Sequence, residues 1–211
     1  TKALGRLVES SPEAIRPEYR NLVERYDRWL AECRDAVLAK RDRGFRFGDR
    51  VLDEYGMLHF GDAIHKIVTN PNRRDYGVHW ETEYYDFPQA LFLHFFRTGD
   101  MTSFRAAIEA AAHLADVDIS HHEVDQPAGA ARTGPGLNHW TRYSNGEFIS
   151  STSWAFYKNE SLFNRYLLTG DLWSRDVARL SADWGVEYNG LDLQSNTRSI
   201  GHGLFALLRA Y

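Results

Sequence analysis

Residues 91–100 read Leu91-Phe92-Leu93-His94-Phe95-Phe96-Arg97-Thr98-Gly99-Asp100, and residues 162–171 read Leu162-Phe163-Asn164-Arg165-Tyr166-Leu167-Leu168-Thr169-Gly170-Asp171. The two stretches lie 71 residues apart, with Leu91/Leu162, Phe92/Phe163 and Phe95/Tyr166 in register. A third, partial copy is Leu204-Phe205-Ala206-Leu207-Leu208-Arg209-Ala210-Tyr211. Each apolar run is long enough for a helix. Gly99 and Gly170 stand where a left-handed residue closes one. Asp100 and Asp171 follow, where a carboxylate caps the next. Each Thr-Gly-Asp therefore predicts a tight turn between two antiparallel helices.

The flanking sequence fits. Phe104, Ile108, Ala111 and Ala115 recur at helical spacing, as do Trp173, Val177, Leu180 and Trp184. Near the start, Pro17 suits the first position of a helix. Leu22, Tyr26, Trp29, Leu30, Cys33 and Val37 form an apolar stripe reaching about Lys40. Helices are expected over 86–98, 101–115, 156–169, 172–184 and 201–211. Those most apolar all round (86–98, 156–169 and 201–211) are expected inside, and the amphipathic pair outside. Polar, glycine-containing stretches at 41–79, 116–150 and 186–199 read as loops, with a hairpin around Ser144-Asn145-Gly146-Glu147 because Asn-Gly favours a tight turn. No βαβ alternation or phosphate-cradling Gly loop is present. The expected class is all-α, a single domain over 1–211 built as an (α/α) toroid or partial toroid of antiparallel helical hairpins.

Composition narrows the function. The chain has 211 residues, with 25 Lys and Arg against 29 Asp and Glu, a net charge of -4. That balance argues against a nucleic-acid partner. The single cysteine, Cys33, excludes an intrachain disulfide framework. No apolar run approaches the roughly 18 residues of a membrane span, so no membrane partner is expected. Aromatic residues make up 14% of the chain, enough both to fill a core and to line a groove for a flat ligand such as a sugar. The last apolar run reaches Tyr211 with no turn signal, so missing domains or another subunit are expected to cover that end.

In a toroid the segments preceding the inner helices converge on one face. Here they carry Trp80-Glu81-Thr82-Glu83-Tyr84-Tyr85-Asp86, Ser151-Thr152-Ser153-Trp154 and Arg198-Ser199-Ile200-Gly201-His202. These segments, with Gly56 through Asp62, the two Thr-Gly-Asp turns and Asp116-Val117-Asp118-Ile119-Ser120-His121-His122, occur in an order that resembles the catalytic helical domain of the exo-rhamnogalacturonan lyase-like polysaccharide lyases. Ulvan-type lyases are the near alternative. The resemblance covers roughly 51–211. It implies a helical toroid, usually accompanied by β-sandwich domains, and β-elimination on a uronate-containing acidic polysaccharide or oligosaccharide. It also implies a secreted or periplasmic protein, with a cytoplasmic one the alternative. The family's Ser-His-Ser/Thr-Trp cluster lacks its His here, where Ser151-Thr152-Ser153-Trp154 stands.

Elimination beside a carboxylate needs a group to neutralise that carboxylate, a base and a proton donor. His139, His121, His122, Tyr84, Tyr85, Tyr143 and Arg198 supply those types. Trp80, Glu83, Trp140, Trp154 and His202 are the candidate sugar-binding residues. Arg198 would bind a carboxylate in bidentate fashion. A divalent cation such as calcium is the alternative neutraliser, with no cofactor firmly implied and no metal-ligand set assigned. Against each role stands a structural one. His121 and His122 read equally as a helix end, His139 as a loop residue packed on Trp140, Asp86 as a helix cap, and His94 and His113 as core. His59 and His65, flanking Asp62, are weaker candidates. Glu83 and Asp86 would also serve as the paired carboxylates of a toroid glycoside hydrolase. A non-catalytic helical-repeat binding scaffold is the third reading. Ser151 and Ser153 lack a nucleophile elbow.

Overall fold

The two Thr-Gly-Asp turns are built alike. In a computed structural model of the chain, Gly99 (φ 71°, ψ 12°) and Gly170 (φ 76°, ψ 13°) take the left-handed conformation. The Gly99 amide donates to the Phe95 carbonyl at 2.8 Å and the Gly170 amide to that of Tyr166 at 2.7 Å. Thr98 and Thr169 donate their hydroxyls back to the carbonyls four residues earlier, at 2.7 and 2.6 Å. Each hydroxyl in turn accepts the amide of the following Asp. Asp100 then accepts the Thr102 amide at 2.7 Å, and Asp171 the Ser174 amide at 3.0 Å, opening the next helix.

The structure describes residues 17–43, 45–47, 50–52, 64–68, 77–80, 86–121, 134, 137–141, 148–152, 159–187 and 197–210, the strands by their backbone. Among them the order is α1 (Pro17–Arg43), β1 (Phe45–Phe47), β2 (Arg50–Leu52), β3 (Ile64–Val68), β4 (Gly77–Trp80), α2 (Phe87–Thr98) and α3 (Met101–His113). A π-helical turn, Leu114–Asp118, follows directly. Then come β5 (Leu137–Thr141), β6 (Phe148–Thr152), α4 (Glu160–Thr169), α5 (Leu172–Glu187) and α6 (Thr197–Ala210). The strands form three separate antiparallel pairs, β1–β2, β3–β4 and β5–β6.

The packed core is helical, as expected of an all-α chain. Leu91 and Phe92 of α2, the alanine face of α3, Leu114 and Ala115 of the π turn, Leu162 of α4, and Val177 and Ala178 of α5 form one cluster. Ala106, Ala107, Ala110 and Ala111 are all at most 2% exposed, so small side chains let neighbouring helices approach α3 closely. Helix α3 packs on both α2 and α4, and α2, α4 and α6 touch in succession. Gln89 of α2 accepts from Asn164 of α4 at 2.6 Å. One step along, Asn159, just before α4, donates to the Ala206 carbonyl at 3.3 Å, and Glu160 pairs with Arg209.

The repeat extends to side chains whose chemistry differs. Arg165 of α4 donates to Ser174 at 2.8 Å and lies 3.1 Å from Asp171. The same places in the first hairpin are His94, Ser103 and Asp100. His94 Nδ1 reaches Ser103 Oγ at 2.8 Å but stays 4.0 Å from Asp100. Arg34 of α1 takes over, donating to Asp100 and, at 2.8 Å, to Ser103. His94 is a core residue, as expected.

Three expectations are corrected. The side of α1 facing the core carries Val23, Asp27, Leu30, Arg34 and Leu38, whereas Leu22, Tyr26, Trp29 and Cys33 of the apolar stripe are exposed. Polar anchors decide this, since Asp27 takes Arg97 at 2.8 Å and Arg34 takes Asp100. The most enclosed helix is α3. Helices α2, α4 and α6, expected inside, keep Leu93, Leu167, Leu204, Phe205 and Leu208 about half or more exposed. The 41–79 stretch contains two strand pairs, and α6 begins at Thr197, so Arg198 and His202 are helical. Asp86 does occupy the N-cap position of α2, as expected, at φ 57° and without a side-chain cap bond to the helix; its carbonyl accepts the Ala90 amide at 3.1 Å.

Candidate functional site

Moving β3–β4 on by about 71 residues lands on β5–β6, so the repeat unit is a strand hairpin, a helix, a Thr-Gly-Asp turn and a second helix. The hairpins precede α2 and α4, and β4 lies against β5. That contact joins the strand ending in Trp80 to the strand carrying His139 and Trp140. Trp80 pairs with Ile64, His139 with Ser150 and Trp140 with Ile149. His139 is thus a strand residue rather than part of a long loop, and the expected hairpin around Asn145-Gly146 is flanked by its two strands.

Strand β5 also packs on the π turn, and there the described side chains include His121. Its Nε2 lies 2.5 Å from the Ala115 carbonyl. A carbonyl only accepts, so Nε2 carries the hydrogen and Nδ1 is the nitrogen available to take a proton. The ring lies against Trp173 at a centroid separation of 5.1 Å. The Trp173 indole donates to Asp116 Oδ1 at 2.7 Å, which fixes the aromatic platform. The Nε2–H thus donates to a carbonyl of the last helical turn, the helix-end role expected as the alternative for His121. The carbonyl and the indole position it.

The carboxylates of this segment diverge. Asp116 is exposed and holds Trp173, whereas Asp118 is 2% exposed and lies 3.4 Å from the Nε2 of fully buried His113. They do not converge with His121 on one cation. Among the described residues no group of three or more His, Cys, Asp or Glu is arranged to hold a metal ion. The His113–Asp118 pair was missed beyond a core assignment for His113. Residues five apart diverge on an α-helix, and the wider π turn brings them to one side.

The electrostatics concentrate at the turns. Burial raises the Asp100 pKa, but the Thr102 amide and Arg34 outweigh it and hold the carboxyl below the usual range. Burial likewise raises Asp171, and Ser174 and Arg165 hold it below that range. These groups stabilise hairpins and are not poised for proton transfer.

Of the other candidates, Arg198 and His202 lie in α6, which packs on α4 and α5. His122, Tyr84, Tyr85, Tyr143, Glu83 and Trp154 lie outside the described residues, as do His59 and Asp62. No helix among the described residues is long and apolar enough to cross a membrane. Comparison with protein-family models, curated proteins and solved structures finds no match to this chain.

Proposed function

We propose that this chain forms a helical toroid, or an arc of one, and acts as a polysaccharide lyase that cleaves a uronate-containing acidic polysaccharide by β-elimination. The observation that carries the reading is the adjacency of β4, β5 and the π turn. It brings the segments of Trp80, His139 and Trp140 beside the turn that positions His121. The toroid reading is supported by the succession α2, α4, α6, in which the first residues of each helix or its cap reach side chains or carbonyls further along the next.

The proposed chemistry follows from the residue types. His139 or His121, or alternatively His122, takes the proton beside the uronate carboxylate. The electron pair released forms the new carbon–carbon double bond as the glycosidic carbon–oxygen bond breaks. Tyr84, Tyr85 or Tyr143 protonates the leaving oxygen. Arg198 neutralises the carboxylate, or a divalent cation such as calcium does. Trp80 and Trp140 underlie sugar rings, with Glu83, Trp154 and His202 on the rim. A proton-transfer group of this kind contributes about 10²–10⁴ in rate.

The test is digestion of rhamnogalacturonan and of ulvan, with and without added calcium, followed by the ultraviolet absorbance of an unsaturated uronate. Elimination produces that absorbance. Release of reducing ends without it identifies a hydrolase, and the absence of turnover on any uronate polymer overturns the reading.

A further inference from the structure

Helix α1 has a second apolar face that the described residues leave open. Its packed side runs through Val23, Asp27, Leu30, Arg34 and Leu38. Beside it run Tyr19, Leu22, Tyr26, Trp29, Cys33 and Ala36, spaced alternately three and four residues apart. Tyr19 is 51% exposed, Leu22 63%, Tyr26 49% and Trp29 56%. Cys33 and Ala36 are exposed as well. Single exposed apolar residues are ordinary on a protein surface, but a contiguous row marks an interaction face. The three–four alternation is the seam of a two-stranded coiled coil.

We propose that this seam pairs with the same seam of a second copy of the chain, the two α1 helices running antiparallel about a two-fold axis. Size selects the orientation. Antiparallel pairing sets Tyr19 against Ala36, Leu22 against Cys33 and Tyr26 against Trp29, so the ends match large with small and the centre holds two aromatic layers. Parallel pairing would stack Tyr19 on Tyr19 and Trp29 on Trp29 while leaving Ala36 facing Ala36.

Charge selects the same orientation. The seam is flanked on its solvent side by Arg25 and Glu32, both exposed and in no ion pair among the described residues. Antiparallel pairing places Arg25 of each copy beside Glu32 of the other, twice by symmetry. Parallel pairing would set both charges against Leu30 and Val37. The face is therefore complementary to itself in one orientation, which is what a second copy requires and an unrelated partner does not.

Sedimentation velocity across a concentration series should show a reversible dimer. Arg25→Glu or Glu32→Arg should each weaken it about tenfold, because two like-charge contacts replace two attractive ones. The double variant Arg25→Glu/Glu32→Arg should restore it. Both side chains are exposed, so helical content by circular dichroism should be unchanged. Leu22→Cys should oxidise to a covalent dimer through Cys33 of the other copy, and the parent chain should not cross-link. A monomer at every concentration, a dimer indifferent to the charge substitutions, or Cys33–Cys33 cross-linking in the parent chain would overturn the proposal.

Discussion

Replacing Gly170 by Ala isolates the backbone cost of a Thr-Gly-Asp turn. At φ 76° an L-residue is strained, yet a Cβ built at Gly170 meets nothing within 4 Å, and the same holds at Gly99. No clash contributes. The left-handed conformation costs roughly 1–2 kcal/mol for a residue with a Cβ. The stiffer unfolded chain returns about 0.4–1 kcal/mol. Each substitution should therefore destabilise by about 1 kcal/mol net. The two turns share no side-chain partner, so Gly99→Ala/Gly170→Ala should lose about 2 kcal/mol. Asn, which tolerates the left-handed region, should cost less than Ala at both sites. Urea unfolding followed by circular dichroism measures this, with the midpoint shifting and the slope unchanged. A contrast is built into the molecule. Gly134 has φ 103°, and a Cβ there would lie 2.5 Å from the Leu180 carbonyl oxygen and 2.7 Å from the Trp184 Cβ. Gly134→Ala should lose about 3 kcal/mol, strain and overpacking together. Equal stability of Gly170→Ala and the parent, or equal losses at Gly134 and Gly170, would refute the reasoning.

Arg34→Ala should cost about 2 kcal/mol, since charged hydrogen bonds to Asp100 and Ser103 are lost. Because His94 occupies the place of Arg165, His94→Arg in that background should recover part of the loss; no recovery in the unfolding midpoint would contradict the repeat equivalence. Asp100 and Asp171 are held below the ordinary carboxylate range, so the stability they contribute is present above it. It should disappear as the pH falls below about 4. Asp100→Asn/Asp171→Asn should be less stable at neutral pH and lose less on acidification, as read from urea midpoints against pH. Trp173→Ala should release His121 from its platform and lower the rate of any elimination activity while leaving helical content by circular dichroism unchanged.

The helical hairpins were legible because their signals are local. A positive-φ glycine, a capping aspartate and apolar runs at helical spacing all lie within a few residues of each other. Asn145-Gly146 announced the β5–β6 hairpin in the same way. The β3–β4 pair was not legible. A register shift between Ile64 and Lys66 breaks the period-two alternation that marks a strand. Helix α1 misled because its packing face is anchored by Asp27 and Arg34, whose partners lie about seventy residues on. The candidate site was legible in residue types alone. Sequence named His121, His139, Trp80 and Trp140, but nothing local announces a π turn or the contact between β4 and β5. Trp173, which orients His121, reads in sequence as one more apolar helix residue.

The most direct test of the central claim is the initial rate of unsaturated-uronate formation by the parent chain, His139→Ala, His121→Ala and the double variant. The account predicts activity in the parent chain and a loss of about 10²–10⁴ for whichever histidine is the base. It also predicts that the double variant is little worse than the more damaging single one, as expected of groups serving one site. Near-parental rates in both single variants, or no unsaturated product from the parent chain on any uronate polymer, would contradict it.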